Sequence, residues 1–355
     1  MGGAEKLLVD TIPLLEKQGI EVDILLLNGA NHPFKTKLVS SMQGQIISLG
    51  ERSVYSPLNI LGLKKNIKHY DIVHVHLFPA LYWVALAKIF SGYQGKLVFT
   101  EHNIINKRFE RNWTKVIDRF FYQKYDKLIG ITIKIKSFIG QRFQMEDSTV
   151  LIENGVNIKS IQEERGYSHT ELSEICGQDL VGKKVLLQVS AFRPQKDQLT
   201  LIRSLEFLDD NVILMLVGAG ELYEETKKTV SNLKYKDRVV FLGLCSGVPR
   251  LLKSSDVVVL SSKYEGMSLS SIEGMACGRP FVASDVPGLS EIVKGAGVLF
   301  PQGDEKKLAE EISRLLHDKK YYHDVAQKCI ARASDYDISR MVQKHVDLYE
   351  SLSKA

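Results

Sequence analysis

Two glutamates, Glu265 and Glu273, stand eight positions apart in the run KYEGMSLSSIEGMACGRP from Lys263 to Pro280. A carboxylate accepts two hydrogen bonds at once, which suits the vicinal hydroxyls of a ribose or the ring hydroxyls of a sugar. Gly266 permits unusual backbone angles, Met267 follows it, and Leu269 to Cys277 has helical spacing with Ser268 as the N-cap. The spacing therefore predicts Glu265 on a loop and Glu273 about a turn inside a helix. Backbone N–H groups near Ser268 and Leu269 would be free to receive a diphosphate. A purely structural reading is open on the same residues, since Ser270 to Glu273 also fits a capping box in which the glutamate only satisfies a helix-end N–H.

Other residues of the right chemistry are scattered along the chain. SAFRPQKD (Ser190 to Asp197) follows an apolar run and sets Arg193 and Lys196 three residues apart, so that both can face one anionic ligand. Fixed cations at such a place can neutralise a departing diphosphate without a metal ion. The one D-x-D string, Asp335-Tyr336-Asp337, reads as a helix start, so no metal is expected. His102, in FTEHN, lies just past a predicted strand, at the end where open α/β sheets place ligands, although a lone histidine there is more often a structural hydrogen-bonder. His74 and His76 alternate onto one strand face, with core or acceptor-lining roles expected and no third metal ligand in sight. LVGAGELYEE (Leu216 to Glu225) offers Gly218 and Gly220 for close approach to a nucleotide but lacks the third glycine of a dinucleotide fingerprint.

These residues hang on alternating strands and helices. Short, nearly continuous apolar runs at 21–27, 71–76, 96–100 and 126–132, and again at 184–190, 211–218, 238–243, 256–262 and 280–284, predict buried parallel strands in two doubly wound units. The expected division is an N-terminal domain over 1–160, a second domain over 161–337 and an amphipathic helix over 338–355. The segment from Asn157 to Gly182 has no clear apolar period and is expected to be the hinge region.

At 355 residues the chain suits two domains. No apolar stretch is long enough for a transmembrane helix and no cleavable signal is recognisable, so a cytoplasmic protein is expected. Cys176, Cys245, Cys277 and Cys329 lie far apart without a C-x-x-C pair, which suggests neither zinc nor a disulfide framework. Residues 1–160 hold 21 lysines and arginines against 14 aspartates and glutamates, a net of +7. Within them, Lys107 to Lys127 carries seven basic and three acidic residues among six aromatics, including Trp113. Two readings fit this stretch: a helix resting on an anionic membrane surface, or an ordinary helix with Phe109, Val116 and Phe120 packed inward and its cations in water. No nucleic-acid motif accompanies the charge.

The Glu265/Glu273 pair followed by GMACGRPFVASDVPGLSEIV resembles the donor-binding signature of the family 4 retaining glycosyltransferases, which have the GT-B fold, and the resemblance runs nearly end to end. It implies two Rossmann-like domains facing across a cleft, and transfer of a sugar from a nucleoside diphosphate sugar, a UDP-sugar favoured, to a hydroxyl of a glycan or lipid-linked acceptor. Cell-surface polysaccharide or glycolipid synthesis is the usual setting. It implies no cofactor. It places Arg193 and Lys196 on the diphosphate, Glu273 on the ribose, Glu265 on the donor sugar and its developing positive charge, and His102 beside that sugar. Gly3, Gly218, Val248, Gly266, Met267, Ser268 and Leu269 complete the donor side, Leu251 being another candidate to line the base. Gly2, Glu5, His76 and Asn154, the last in the Glu153-to-Val156 turn, are the acceptor-side candidates. The final helix is expected to return to the first domain. One departure is that the chain opens at MGGAEKLLVD, without the strand the family places before its Gly-Gly-x-Glu loop. A nucleotide-sugar 2-epimerase on the same fold and a non-catalytic nucleotide-binding or scaffold protein are the alternative readings.

Overall fold

The computed structural model describes residues 3–30, 33–103, 109 and 112–354. The chain forms two compact units, Met1–Gly155 with Ile338–Ala355, and Val156–Asp337. The division thus falls a few residues before the expected boundary at 160.

In the first unit β1 (Ile24–Leu26) pairs in parallel with β2 (Ile46–Ser48). A separate sheet runs β3 (Ile72–His76), β4 (Lys96–Glu101), β5 (Lys127–Gly130) and β6 (Thr149–Leu151), parallel and in chain order. The N-terminal helix, Gly3–Lys17, buries Val9 and Ile12 with Leu38 against Val22, Ile24 and Ile46, which seats β1 and β2. The final helix, Ile338–Ser353, packs against it and buries Met341, Val342, His345 and Leu348. Strand alternation puts His74 and His76 on one face of β3, level with Val98 and Thr100 of β4.

The second unit is a six-stranded parallel sheet in the order β12-β11-β10-β7-β8-β9, from β7 (Lys184–Val189), β8 (Val212–Val217), β9 (Val239–Gly243), β10 (Val257–Leu260), β11 (Phe281–Ser284) and β12 (Val298–Phe300). Helices cover both faces, so β8, β10 and β11 are buried throughout and read as unbroken apolar runs. The chain winds outward from β7 in one direction and from β10 in the other. The β7–β10 junction is therefore the topological switch point, where the loops after two neighbouring strands diverge and leave a crevice.

Two expectations need correction. The segment from Asn157 to Gly182 is not an irregular hinge but carries two short helices of the second unit, Ile158–Glu163 and His169–Cys176. Their signals are caps instead of a long period. Asn157 accepts from the Ser160 N–H, Ser168 and Glu171 form a reciprocal capping box, and Gly177 closes the second helix at φ 65°. The inward packing read for the basic stretch also fails in part, because Phe109 is buried while Val116 and Phe120 of the helix Asn112–Tyr122 face solvent.

Candidate active site

The crevice of the second unit is built by polar residues at the ends of apolar strands. Gln188, the one polar side chain inside β7, accepts from the Ser261 N–H at 3.2 Å and the Ser261 hydroxyl at 2.9 Å, and donates to Ser190 Oγ at 2.9 Å. Gln198 donates to the same Ser190 Oγ and to the Ala191 carbonyl. This buried network ties the loop after β7 to the loop after β10, and a network satisfied in this way fixes one arrangement of both. Backbone bonds continue the join: Asp197 N–H to Ser261 O at 3.1 Å, and Lys263 N–H to Gln195 O at 2.8 Å.

That join brings Lys196 onto Glu265. The Lys196 ammonium donates to Glu265 Oε1, which also accepts from Ser262 Oγ at 2.6 Å. The two side chains are only 12% and 10% exposed, so the pair is largely desolvated. From behind, Gly288 sits at φ +86° where an added Cβ would lie 2.2 Å from the Glu265 carbonyl, and the Glu265 N–H donates to Pro287 O at 3.1 Å. Only glycine fits there. Arg193 lies in the same turn, closed by Lys196 N–H to Arg193 O at 2.9 Å, and holds its side chain in solvent.

Ser268 is the N-cap of the helix Leu269–Ala276, with Gly266 and Met267 leading into it. Its side chain makes no capping bond, and Ser270 lies inside the helix, so the Ser270–Glu273 capping box does not form. The first N–H groups of that helix have no acceptor one turn back, which leaves them for an anion. Glu273 is buried in the middle of the helix. The next residue, Gly274, lets the helix lie directly on the sheet, since a Cβ there would meet the Phe281 ring at 2.7 Å.

Gly218 and Gly220 are demanded by the protein's own packing, since added Cβ atoms would meet Ser190 O at 2.0 Å and Phe192 O at 2.2 Å in the loop after β7. Leu251 is core. Val248, at the start of its helix, is half-buried.

In the first unit the sheet face carrying His74 and His76 meets the final helix. His74 is held between the Tyr349 hydroxyl at 2.6 Å and Thr100 Oγ1 at 2.8 Å, and its ring lies tilted against that of His76 with centroids 4.2 Å apart. His76 Nδ1 and His102 Nε2 are 3.3 Å apart, so one imidazole donates to the other. His345 donates from Nδ1 to the Met341 carbonyl. With Asn154 these residues line a cavity of about 40 Å³. Burial pushes His74 and His76 well below the ordinary histidine range, with neighbouring imidazoles adding to it, and pushes His345 down. It takes His102 to about 4, against the opposing carboxylate of Glu5 on the N-terminal helix. The cluster is therefore neutral at pH 7, suited to hydrogen bonding with hydroxyls. Gly3 begins the N-terminal helix, and Gly2 lies outside the described residues.

Gln188, Gln198, Ser261, Ser262, Thr100, His345 and Tyr349 were not among the sequence candidates. For Gln188, Ser261, Ser262 and Thr100 a signal existed, a polar residue interrupting or ending an otherwise apolar strand run; Gln198, at the start of a helix, gave none. His345 and Tyr349 reach their partners only through the return of the final helix.

A family model described as Glycosyltransferase Family 4 matches residues 1–160, and one described as Glycosyl transferases group 1 matches residues 178–332. The chain belongs to glycosyltransferase family 4. This glycosyltransferase is 28% identical over 291 residues to the N-acetyl-alpha-D-glucosaminyl L-malate synthase of Bacillus anthracis, covering 79% of this chain and 74% of that one. It is 25% identical over 311 residues to the UDP-Gal:alpha-D-GlcNAc-diphosphoundecaprenol alpha-1,3-galactosyltransferase of Escherichia coli, covering 82% and 78%. Its fold is similar to that of Anabaena HepE, solved in complex with UDP and glucose, with a TM-score of 0.84 at 22% identity over 99% of this chain and 96% of that one. The transferase thus has the GT-B architecture of two Rossmann-like domains. Among its described residues no helix is long and apolar enough to cross a membrane.

Proposed function

We propose that this glycosyltransferase moves a sugar from a UDP-sugar to a hydroxyl of a lipid-linked or glycan acceptor, with retention of anomeric configuration and without a metal ion. The observation that carries the reading is the Lys196–Glu265 pair at the switch point of the second unit, next to the uncapped helix start at Ser268. The names of the relatives support the donor and acceptor classes: one uses UDP-Gal and an alpha-D-GlcNAc-diphosphoundecaprenol acceptor, and HepE is solved with UDP and glucose.

In this reading the UDP diphosphate lies on the N–H groups of Ser268 and Leu269, with Gly266 and Met267 shaping the approach. Arg193 and Lys196 turn to it as the glycosidic C–O bond breaks and negative charge grows on the leaving phosphate. Glu273 accepts from the ribose hydroxyls and Val248 lines the base. Glu265, released from Lys196, accepts from the sugar hydroxyls and faces the positive charge developing at the anomeric carbon. On the first unit, neutral His102, held by His76, offers a hydrogen bond to a substrate hydroxyl. The acceptor oxygen attacks the face the diphosphate is leaving, and its proton passes to the departing phosphate oxygen, which balances the step. Gly3, Glu5 and Asn154 are assigned to the acceptor side of the first unit.

Thermal unfolding with UDP, GDP and ADP in turn, each with and without EDTA, tests this. Nucleotide at about 100 times its dissociation constant adds roughly 2.7 kcal/mol to the native state. A shift with UDP alone that EDTA leaves unchanged is the expected result. A shift that EDTA abolishes removes the metal-free step, and a shift with another base removes the UDP assignment.

A further inference from the structure

The helix Asn112–Tyr122 is inside out. Among its described side chains the buried ones are polar or phenolic, Thr114, Asp118 and Tyr122, one turn apart. Asp118 accepts from the Tyr82 hydroxyl, and Tyr122 donates to Glu101 at 2.5 Å. Its outer face presents Val116 at 75%, Ile117 at 42% and Phe120 at 49% exposure. A helix of a soluble unit ordinarily buries its apolar stripe, so an apolar stripe turned outward signals a partner that covers it.

The exposed face does not stop at this helix. Phe120 touches Phe121 with centroids 5.3 Å apart, Phe121 stacks on Tyr82 at 4.3 Å, Tyr82 meets Phe78 at 5.2 Å, and Phe78 meets Tyr55 at 6.2 Å. Tyr55 is 63% and Phe78 44% exposed, so the rings form a continuous surface band. Cations are set into it: Lys115 and Arg119 are exposed on the helix, and the Lys124 ammonium lies 4.7 Å over the Phe120 ring. Leu77 and Phe78 directly follow His76 at the carboxyl end of β3, with Leu77 at φ 68°. The band therefore begins at the ligand end of the first unit's sheet.

We propose that this face docks on an anionic lipid bilayer, with Val116, Ile117, Phe120 and Phe78 entering the headgroup layer and Lys115, Arg119 and Lys124 on its phosphates. Aromatic and aliphatic side chains among cations match the interfacial layer of such a membrane, where rings sit at headgroup depth and each cation gains from the surface potential. The net of +7 over residues 1–160 adds attraction at longer range. A second copy of the chain fits less well, because a two-fold contact through this face would set its cations against themselves. The surface belongs to the first unit, and the proposal stands whatever nucleotide the second unit takes.

Flotation of the full chain with phosphatidylcholine vesicles, with and without phosphatidylglycerol, tests the proposal. Binding is expected to the anionic vesicles and to weaken as salt is raised. The variant K115Q/R119Q/K124Q should lose about fivefold per cation, on the order of a hundredfold in all. V116S/F120S should lose about tenfold or more, while both variants keep the unfolding temperature and nucleotide shift of the parent. Absence of binding to either vesicle, or equal binding by parent and both variants, overturns it. So does self-association that V116S/F120S abolishes, which would give the face to a second copy.

Discussion

Lys196→Met should be the most informative single substitution in the second unit, because it leaves Glu265 largely buried without its cation. The pair is 12% and 10% exposed, and the remaining donor to Glu265 Oε1 is the Ser262 hydroxyl. Removing one partner of a buried pair costs about 3–5 kcal/mol, and the surviving serine bond puts this case at the low end, about 3 kcal/mol. For a unit running from Val156 to Asp337 that corresponds to a fall of about 6–12 °C in its unfolding temperature. Glu265→Gln should cost less, about 1–2 kcal/mol, since a flexible lysine can carry its charge to water. The double variant Lys196→Met/Glu265→Gln should regain at least about 2 kcal/mol over the sum of the single losses, measured by urea unfolding as a double-mutant cycle. The same cycle read by UDP titration separates binding from folding. Glu265→Gln frees Lys196 for the diphosphate and should tighten UDP by about tenfold, one charge-assisted hydrogen bond no longer contested, while sugar transfer collapses. Additive stability losses together with weaker UDP binding by Glu265→Gln would refute the reasoning, because the two side chains would then not be exchanging a shared partner.

Acid should unfold the first unit early. His74, His76, His102 and His345 all have folded pKa values below the ordinary 6.5, so below that pH the unfolded chain binds more protons than the native one and stability falls with pH. Each such histidine contributes about 1.4 kcal/mol per pH unit between 6.5 and its folded pKa, a window reaching down to about 4 for His102, and flat stability from pH 7 to 5 would contradict it. Glu273→Ala should weaken UDP by about 1.5–3 kcal/mol in a calorimetric titration, and a fall in stability with unchanged affinity would make the glutamate structural. Gly218→Ala should lower the unfolding temperature by colliding with the Ser190 carbonyl, yet leave UDP affinity per folded molecule unchanged.

The parallel sheets were legible because burial on both faces leaves long apolar runs, as at 212–217 and 257–260. Three strands were not, Ile46–Ser48, Thr149–Leu151 and Val298–Phe300, each only three residues long and too short to show a period. The loop residues at the switch point were read from their chemistry, but their support was not. Gln188 and Ser261 lie 73 positions apart, and nothing in the spacing tells that they meet. Periodicity showed that Asn112–Tyr122 has an apolar stripe but not which way it faces, because that depends on distant polar partners such as Tyr82 and Glu101. The glycines of LVGAGE were read as room for a ligand, and the structure adds a second demand on them, the close approach of the loop after β7. A requirement for glycine is visible in sequence, and the atom that imposes it is not.

Transfer itself can be followed directly by proton NMR of the first product formed from an α-linked UDP-sugar and a lipid-diphosphate sugar acceptor, with EDTA present. The site described here should give an α-linked product, released with UDP at a rate EDTA does not change, and Glu265→Gln should abolish it while still binding UDP. A β-linked product, or turnover that requires an added divalent cation, would contradict the assignment of Arg193, Lys196 and the Ser268 helix start as the groups that carry the leaving diphosphate.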